Sequence, residues 1–146
     1  MLATIEDIAA YVERYGWRHE ERGDGLLVTG FRGKNGVFRI FVQIAEPWLL
    51  LAIVPFVPQP TPPCRERFSR YALRLNFEMN LPKIGADPDG DVALTLELRG
   101  DDLRYEDLAA ALDSLSFYAD RYYQPLLNLG RDLRYQPPEA LDLPGS

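Results

Sequence analysis

Asp87, Asp89 and Asp91 stand at the one-three-five spacing that opens a calcium loop, where alternating carboxylates converge on a hard cation. The continuation does not fit. The sixth position is Val92, where such a loop needs glycine, and the twelfth is Leu98, where a bidentate glutamate belongs. An acidic turn, Asp87-Pro88-Asp89-Gly90, accounts for the same residues. Cys64 opens a helical pattern with Arg65 and Arg67 beside it, a setting in which nucleophilic thiols occur. Such a thiol also needs a base, and nothing in the spacing brings His19, the only imidazole, to it. An ordinary helix-start cysteine fits as well. One histidine is too few for a histidine-based zinc site, and no serine sits in a Gly-x-Ser-x-Gly elbow. Gly30, Gly33 and Gly36 are spaced like a phosphate loop, but they lie between two extended runs with no helix behind them. Gly33-Lys34 is followed by Asn35, so the lysine-hydroxyl pair of a nucleotide-binding loop is missing. The expectation is a protein that is not an enzyme, with no catalytic, cofactor-binding or metal-binding residue.

Other residues have the chemistry of contact. Arg67, Arg70 and Arg74 form a stripe on one helix, which suits a solvated face, a salt-bridged rim or a phosphate backbone. Pro55-x-x-Pro58 and Pro60-x-x-Pro63 match the spacing read by polyproline-binding domains, though a stiff loop needs the same residues. Tyr123 falls off the apolar stripe of the last helix, where it is free to meet a partner. Phe31, Phe41 and Trp48 are large apolar side chains on extended segments. Phe41, with Leu27 and Phe31, is expected on the sheet face away from the helices. These are the candidate partner-binding residues: Phe31, Phe41, Trp48, Arg67, Arg70, Arg74 and Tyr123.

The elements that position them follow from periodicity. Thr4 with Asp7 three residues on makes a capping box before Ile5, Ile8, Ala9 and Val12, and Gly16 supplies a stop, so the first helix is expected over Ile5 to Tyr15. Trp17–Arg22 and Leu26–Arg32 are read as strands around Gly23-Asp24-Gly25. Asn35-Gly36 predicts a two-residue hairpin because both residues tolerate positive φ. Phe38, Ile40, Val42 and Ile44 then alternate with polar residues, as in a half-buried strand. Trp48–Val54 is a continuous apolar run of strand length, expected to be central. The proline-rich segment 55–63 can be neither helix nor paired strand. From Cys64, Phe68, Tyr71, Ala72, Leu75 and Met79 share a helical face. Leu81–Ala86 and Asp91–Arg99 flank the acidic turn as a second hairpin, and the last helix is expected from Tyr105 to Leu126. Segregated strands and helices predict an α+β fold: an antiparallel sheet with helices packed on one face, in the order α-β-β-β(-β)-α-β-β-α. Residues 1–130 are expected to form one domain, and 131–146 a flexible tail.

Bulk properties narrow the partners. The 146 residues carry a formal net charge of -6, which repels phosphate backbones and acidic lipid unless a local patch overrides it. One cysteine allows no internal disulfide. The stretch Met1 to Glu6 lacks the basic-then-apolar pattern of a signal peptide, and no apolar run approaches the ~20 residues of a membrane helix. The expected location is the cytoplasm.

The segment from Tyr71 to Leu98, Tyr-Ala-Leu-Arg-Leu-Asn-Phe onward, has a helix ending in Leu-Asn, a small-residue strand, an Asp-Gly turn and an alternating strand. With the closing helix and its Ala119-Asp120-Arg121-Tyr122-Tyr123, it resembles the YbjN-like family of bacterial proteins, and more distantly the type III secretion chaperone fold, over about Thr4 to Leu127. The resemblance implies a helix-flanked antiparallel sheet, a homodimer, and action by binding another polypeptide. The family is also labelled as sensory transduction regulators, and it supplies no catalytic residue. A chaperone-like or regulatory protein-binding domain is therefore expected. The alternative is a nucleic-acid-associated regulator using the arginine stripe.

Overall fold

The structure, a computed structural model, describes residues 1–138. Helix α1 spans Ile5–Tyr15. At its start the Asp7 N–H donates to Thr4 Oγ1 (3.2 Å) while the Thr4 N–H donates to Asp7 Oδ2 (2.9 Å), so two otherwise unpaired donors are satisfied reciprocally. Gly16 ends it at φ +104°, a conformation that glycine adopts without strain. Helix α3 (Tyr105–Leu129) opens with one half of this device: Asp107 Oδ2 accepts from the Arg104 N–H at 3.0 Å, and the arginine side chain, a donor only, returns none.

These caps make a pH prediction. The backbone N–H of Thr4, then its hydroxyl, holds the Asp7 carboxyl below the usual carboxylate range. The backbone N–H of Arg104, then its guanidinium, does the same for Asp107. A carboxyl depressed in the folded state adds stability that is present above its unfolded value of 3.8 and is lost as the pH falls through the folded value. The double variant Asp7→Asn/Asp107→Asn is expected to show a shallower fall in urea midpoint below about pH 4 than the parent. An unchanged slope would refute the assignment.

Four strands precede the middle helix: β1 His19–Glu21, β2 Leu26–Arg32, β3 Val37–Ala45 and β4 Trp48–Ile53. After them come α2 (Arg65–Glu78), β5 (Lys83–Ala86) and β6 (Val92–Arg99). The strands form one sheet in the order β1-β2-β3-β4-β6-β5, every neighbour antiparallel. The α+β architecture read from the sequence is the one observed, and β4 is central, between β3 and β6.

The β2–β3 connection differs from expectation. It is a four-residue loop, 33–36, closed by the Gly33 N–H on the Gly36 carbonyl (2.8 Å), and neither Asn35 nor Gly36 has positive φ. The reason is tertiary. Asn35 is held by α3, its backbone N–H on Asp120 Oδ1 (2.7 Å) and its side-chain amide on the Asp120 carbonyl (3.0 Å).

Register sorts the side chains. Directly opposed residues of an antiparallel pair share a face, and Leu27, Val42, Leu51 and Leu96 run in line across four strands, each fully buried or nearly so. This first face meets the buried sides of all three helices in one core cluster. Phe31 opposes Phe38, and Leu27 opposes Val42, so both belong to the helix-covered face and not, as expected, to the outer one. The second face has its own row, Glu20, Val28, Phe41, Ala52, Thr95 and Lys83. Val28 and Ala52 are buried there yet stand outside the core cluster.

The proline segment is anchored. Phe56 and Val57 are buried, and the Phe56 N–H donates to the Val92 carbonyl at 2.7 Å. A short 3₁₀ turn, Pro62–Cys64, then leads into α2.

Candidate functional site

The residues with catalytic potential are kept apart. Cys64 is buried at the entry to α2, and α2 packs against the sheet at β5; His19 lies on β1, the opposite edge. Asp87 uses its Oδ1 on the backbone N–H groups of Asp89 (3.0 Å) and Asp91 (2.8 Å), which closes the hairpin turn. Among the described residues no three histidine, cysteine or carboxylate side chains gather as a metal site would require.

Helix α2 presents three distinct sides. The first is the arginine stripe, and each of its guanidinium groups has an internal partner. Arg67 donates to the backbone carbonyls of Leu133 (2.9 Å) and Tyr135 (2.6 Å), pinning the segment after α3. Arg70 pairs with Glu66 at 3.0 Å and Arg74 with Glu78 at 3.3 Å. Tyr71 adds a hydrogen bond from its hydroxyl to the Pro138 carbonyl (3.2 Å). Of the expected tail 131–146, residues 131–138 thus lie against α2, and 139–146 fall outside the described residues. Arg67→Ala is expected to cost about 1.5–3 kcal/mol, the range for hydrogen bonds with a charged donor. Hydrogen exchange at Asp132–Tyr135 should rise with it. Unchanged protection there would show that the segment is held by other contacts.

The second side faces β5. Asn76 places its side-chain oxygen on the Ile84 N–H (2.7 Å) and its amide on the Ile84 carbonyl (3.0 Å). It thereby takes the place of a neighbouring strand on the outward edge of β5, and Pro82, just before that strand, has no N–H to offer. The other edge, β1, is three residues long and charged. Both edges are poor templates for an added strand.

The third side of α2 points outward and was missed in the sequence. Leu73 and Phe77 are each 70% exposed, Leu81 beyond the helix end 58%. Beside them lies a groove of about 430 Å³ between α2 and β5, with Ser69, Ala72, Ile84 and Gly85 in its walls. The available signal was a second i, i+4 apolar pair, Leu73 and Phe77, lying off the stripe assigned to the core.

The remaining candidates divide. Phe31 stacks between Trp17 (5.2 Å) and Phe38 (5.1 Å). Tyr123 turns toward the sheet and meets Phe38 edge-on at 5.3 Å and Phe56 at 6.1 Å. Both belong to an internal aromatic cluster. Phe41 and Trp48 lie on the second sheet face, Trp48 46% exposed with the Arg99 guanidinium 5.2 Å from its ring.

Comparison with known proteins agrees with this geometry. The model of the YbjN family, described as "Putative bacterial sensory transduction regulator", matches residues 4–128. No curated protein matches. Among solved structures, the chain is similar to YbjN, "a putative transcription regulator from E. coli", with a TM-score of 0.63 at 12% identity, covering 84% of this chain and 92% of that one. It is similar to a chain of the heterodimeric ExoU–SpcU complex from the type III secretion system of Pseudomonas aeruginosa (TM-score 0.59, 18% identity, 84% and 96% covered). It is also similar to a chain of the ExsC–ExsE complex (TM-score 0.56, 17% identity, 84% and 92% covered). At these identities the shared property is the fold.

Proposed function

We propose that this chain, which belongs to the YbjN family, is a non-enzymatic, chaperone-like or regulatory protein-binding domain that works in the cytoplasm as a homodimer and engages another polypeptide. The observation that carries the reading is the outward apolar side of α2, Leu73 and Phe77, beside an open groove. Exposed apolar residues grouped next to a concavity mark a contact surface. That surface suits a second copy: in an antiparallel pairing of two α2 helices about Leu73, Phe77 of one copy stands over the small Ser69 of the other. Several solved structures of this fold are complexes with another protein, ExoU–SpcU and HopA1–SchA among them, which supports the client half of the proposal.

The arginine stripe is a weaker basis for nucleic-acid binding. Arg70 and Arg74 are matched by carboxylates and Arg67 by backbone carbonyls, so little charge is left to displace counterions. Light scattering on the full chain tests the dimer, and affinity capture with reciprocal capture of the recovered protein tests the client. A strict monomer that retains no partner would end the proposal.

A further inference from the structure

We infer that the second sheet face, centred on Phe41 and edged by Arg32 and Arg39, docks an acidic amphipathic segment of the partner polypeptide. This rests on the protein-binding reading above and gives it a surface and a chemistry. Half-buried Phe41 is flanked in register by Val28 and Ala52, which their neighbours already cover, and half-buried Leu50 sits two residues along β4 on the same face. The buried sides of α1, α2 and α3 all join the core on the first face, so this apolar centre has no helix over it among the described residues. Gly30 lies between Val28 and Arg32 and opposite Arg39, where a Cβ would meet the Phe38 carbonyl oxygen at 2.5 Å, so the two strands approach closely beside Phe41.

Charge selects the occupant. Lys83 is neutralised by Glu97 at 2.9 Å and Arg99 by Asp101 at 2.9 Å. Arg32 and Arg39 are exposed and have no carboxylate within 4 Å among the described residues. A chain with net charge -6 thus presents, at one end of an apolar face, two free guanidinium groups. Carboxylates on an otherwise apolar segment answer both features at once. Strand addition is not the mode, because Asn76 occupies the β5 edge and β1 is short and charged, so the segment lies across the face. A single-stranded nucleic acid is disfavoured: the ring of Trp48 already carries Arg99, and Val28, Leu50 and Ala52 offer bases no hydrogen bond.

The test uses the full-length chain and two labelled synthetic peptides of about 18 residues, with leucine on one helical face and either glutamate or lysine on the other. The overall charge of the protein favours the lysine peptide, so a preference for glutamate can come only from a local field. The leucine-glutamate peptide is expected to bind at least about tenfold more tightly, shifting the amide resonances of Val28, Arg39, Phe41 and Leu50. The double variant Arg32→Glu/Arg39→Glu, confined to exposed side chains, is expected to invert the preference, and Phe41→Ser to weaken both peptides about tenfold. Equal affinities, binding of neither peptide, or tighter binding of an oligothymidine at this face would overturn the inference. Peptide shifts confined to the α2–β5 groove would overturn it too, while leaving the protein-binding proposal intact; loss of the dimer and of every client would remove both.

Discussion

A Phe77→Asp variant is expected to be monomeric across 1–100 µM in light scattering, about a hundredfold or more weaker in self-association than the parent. Phe77 is 70% exposed in the isolated chain, so little internal contact is lost when it is replaced. The effect falls on association alone. Burying a phenylalanine side chain is worth about 1.5–3 kcal/mol, and leaving a carboxylate in that place adds a desolvation cost. In a twofold interface each substitution occurs twice. Leu73→Asp should act in the same direction, and Leu73 is the position on which the proposed twofold axis falls. The control is the urea midpoint, expected to stay within about 0.5 kcal/mol of the parent, the usual range for an exposed site. A parent chain that is itself monomeric at 100 µM would remove the surface from consideration.

The elements were legible where local physics decides them. Thr4 with Asp7, and Gly16, bound α1; the alternation from Val92 to Leu98 marks β6; leucines at intervals of four and three give α3. The last helix accommodates Pro125, whose missing donor falls late in a helix that the core already holds, and continues three residues past its expected end at Leu126. What stayed hidden is long-range. Asp120 sits 85 residues from Asn35, and its hold on that residue replaces the two-residue turn with a loop of four. The change slides β2 by two residues along β3, from Phe31 opposite Ile40 to Phe31 opposite Phe38. A two-residue slip does not exchange faces. The misplacement of Leu27 and Phe31 came instead from assigning a face without a register. The arginine stripe shows the same limit: the carbonyls that Arg67 binds lie 66 and 68 residues away, beyond any helical period. The outward pair Leu73 and Phe77 was visible throughout. One apolar stripe is all that a helix packed on a sheet needs, so the period alone does not mark a second one as a contact surface.

Arg74→Met is expected to destabilise the chain by about 2–4 kcal/mol, although the arginine itself is about half exposed. The cause is its partner. Glu78 follows one turn later on α2 with its side chain 1% exposed, and Arg74 Nε is the one cation within 4 Å of it among the described residues. The approach, at 3.3 Å, is not aligned as a hydrogen bond, and neither carboxylate oxygen has another donor. The Tyr122 hydroxyl is likewise buried and unpartnered; burial, with the Glu78 charge as a lesser cause, pushes its pKa upward. Removing Arg74 therefore strands a carboxylate in an apolar wall. The lower end of the quoted range allows for water that can replace an exposed guanidinium. Removing the carboxylate instead has the opposite consequence: Glu78→Met is expected to be neutral or stabilising, since it abolishes the desolvation cost and fills the same volume. The double variant should then recover most of what Arg74→Met loses, a coupling of about 2 kcal/mol or more in a double-mutant cycle. Urea unfolding of the four proteins measures it directly. Equal stability of Arg74→Met and the parent would mean that the pair adds nothing to the folded chain, and that α2 is held against α3 by its apolar contacts alone.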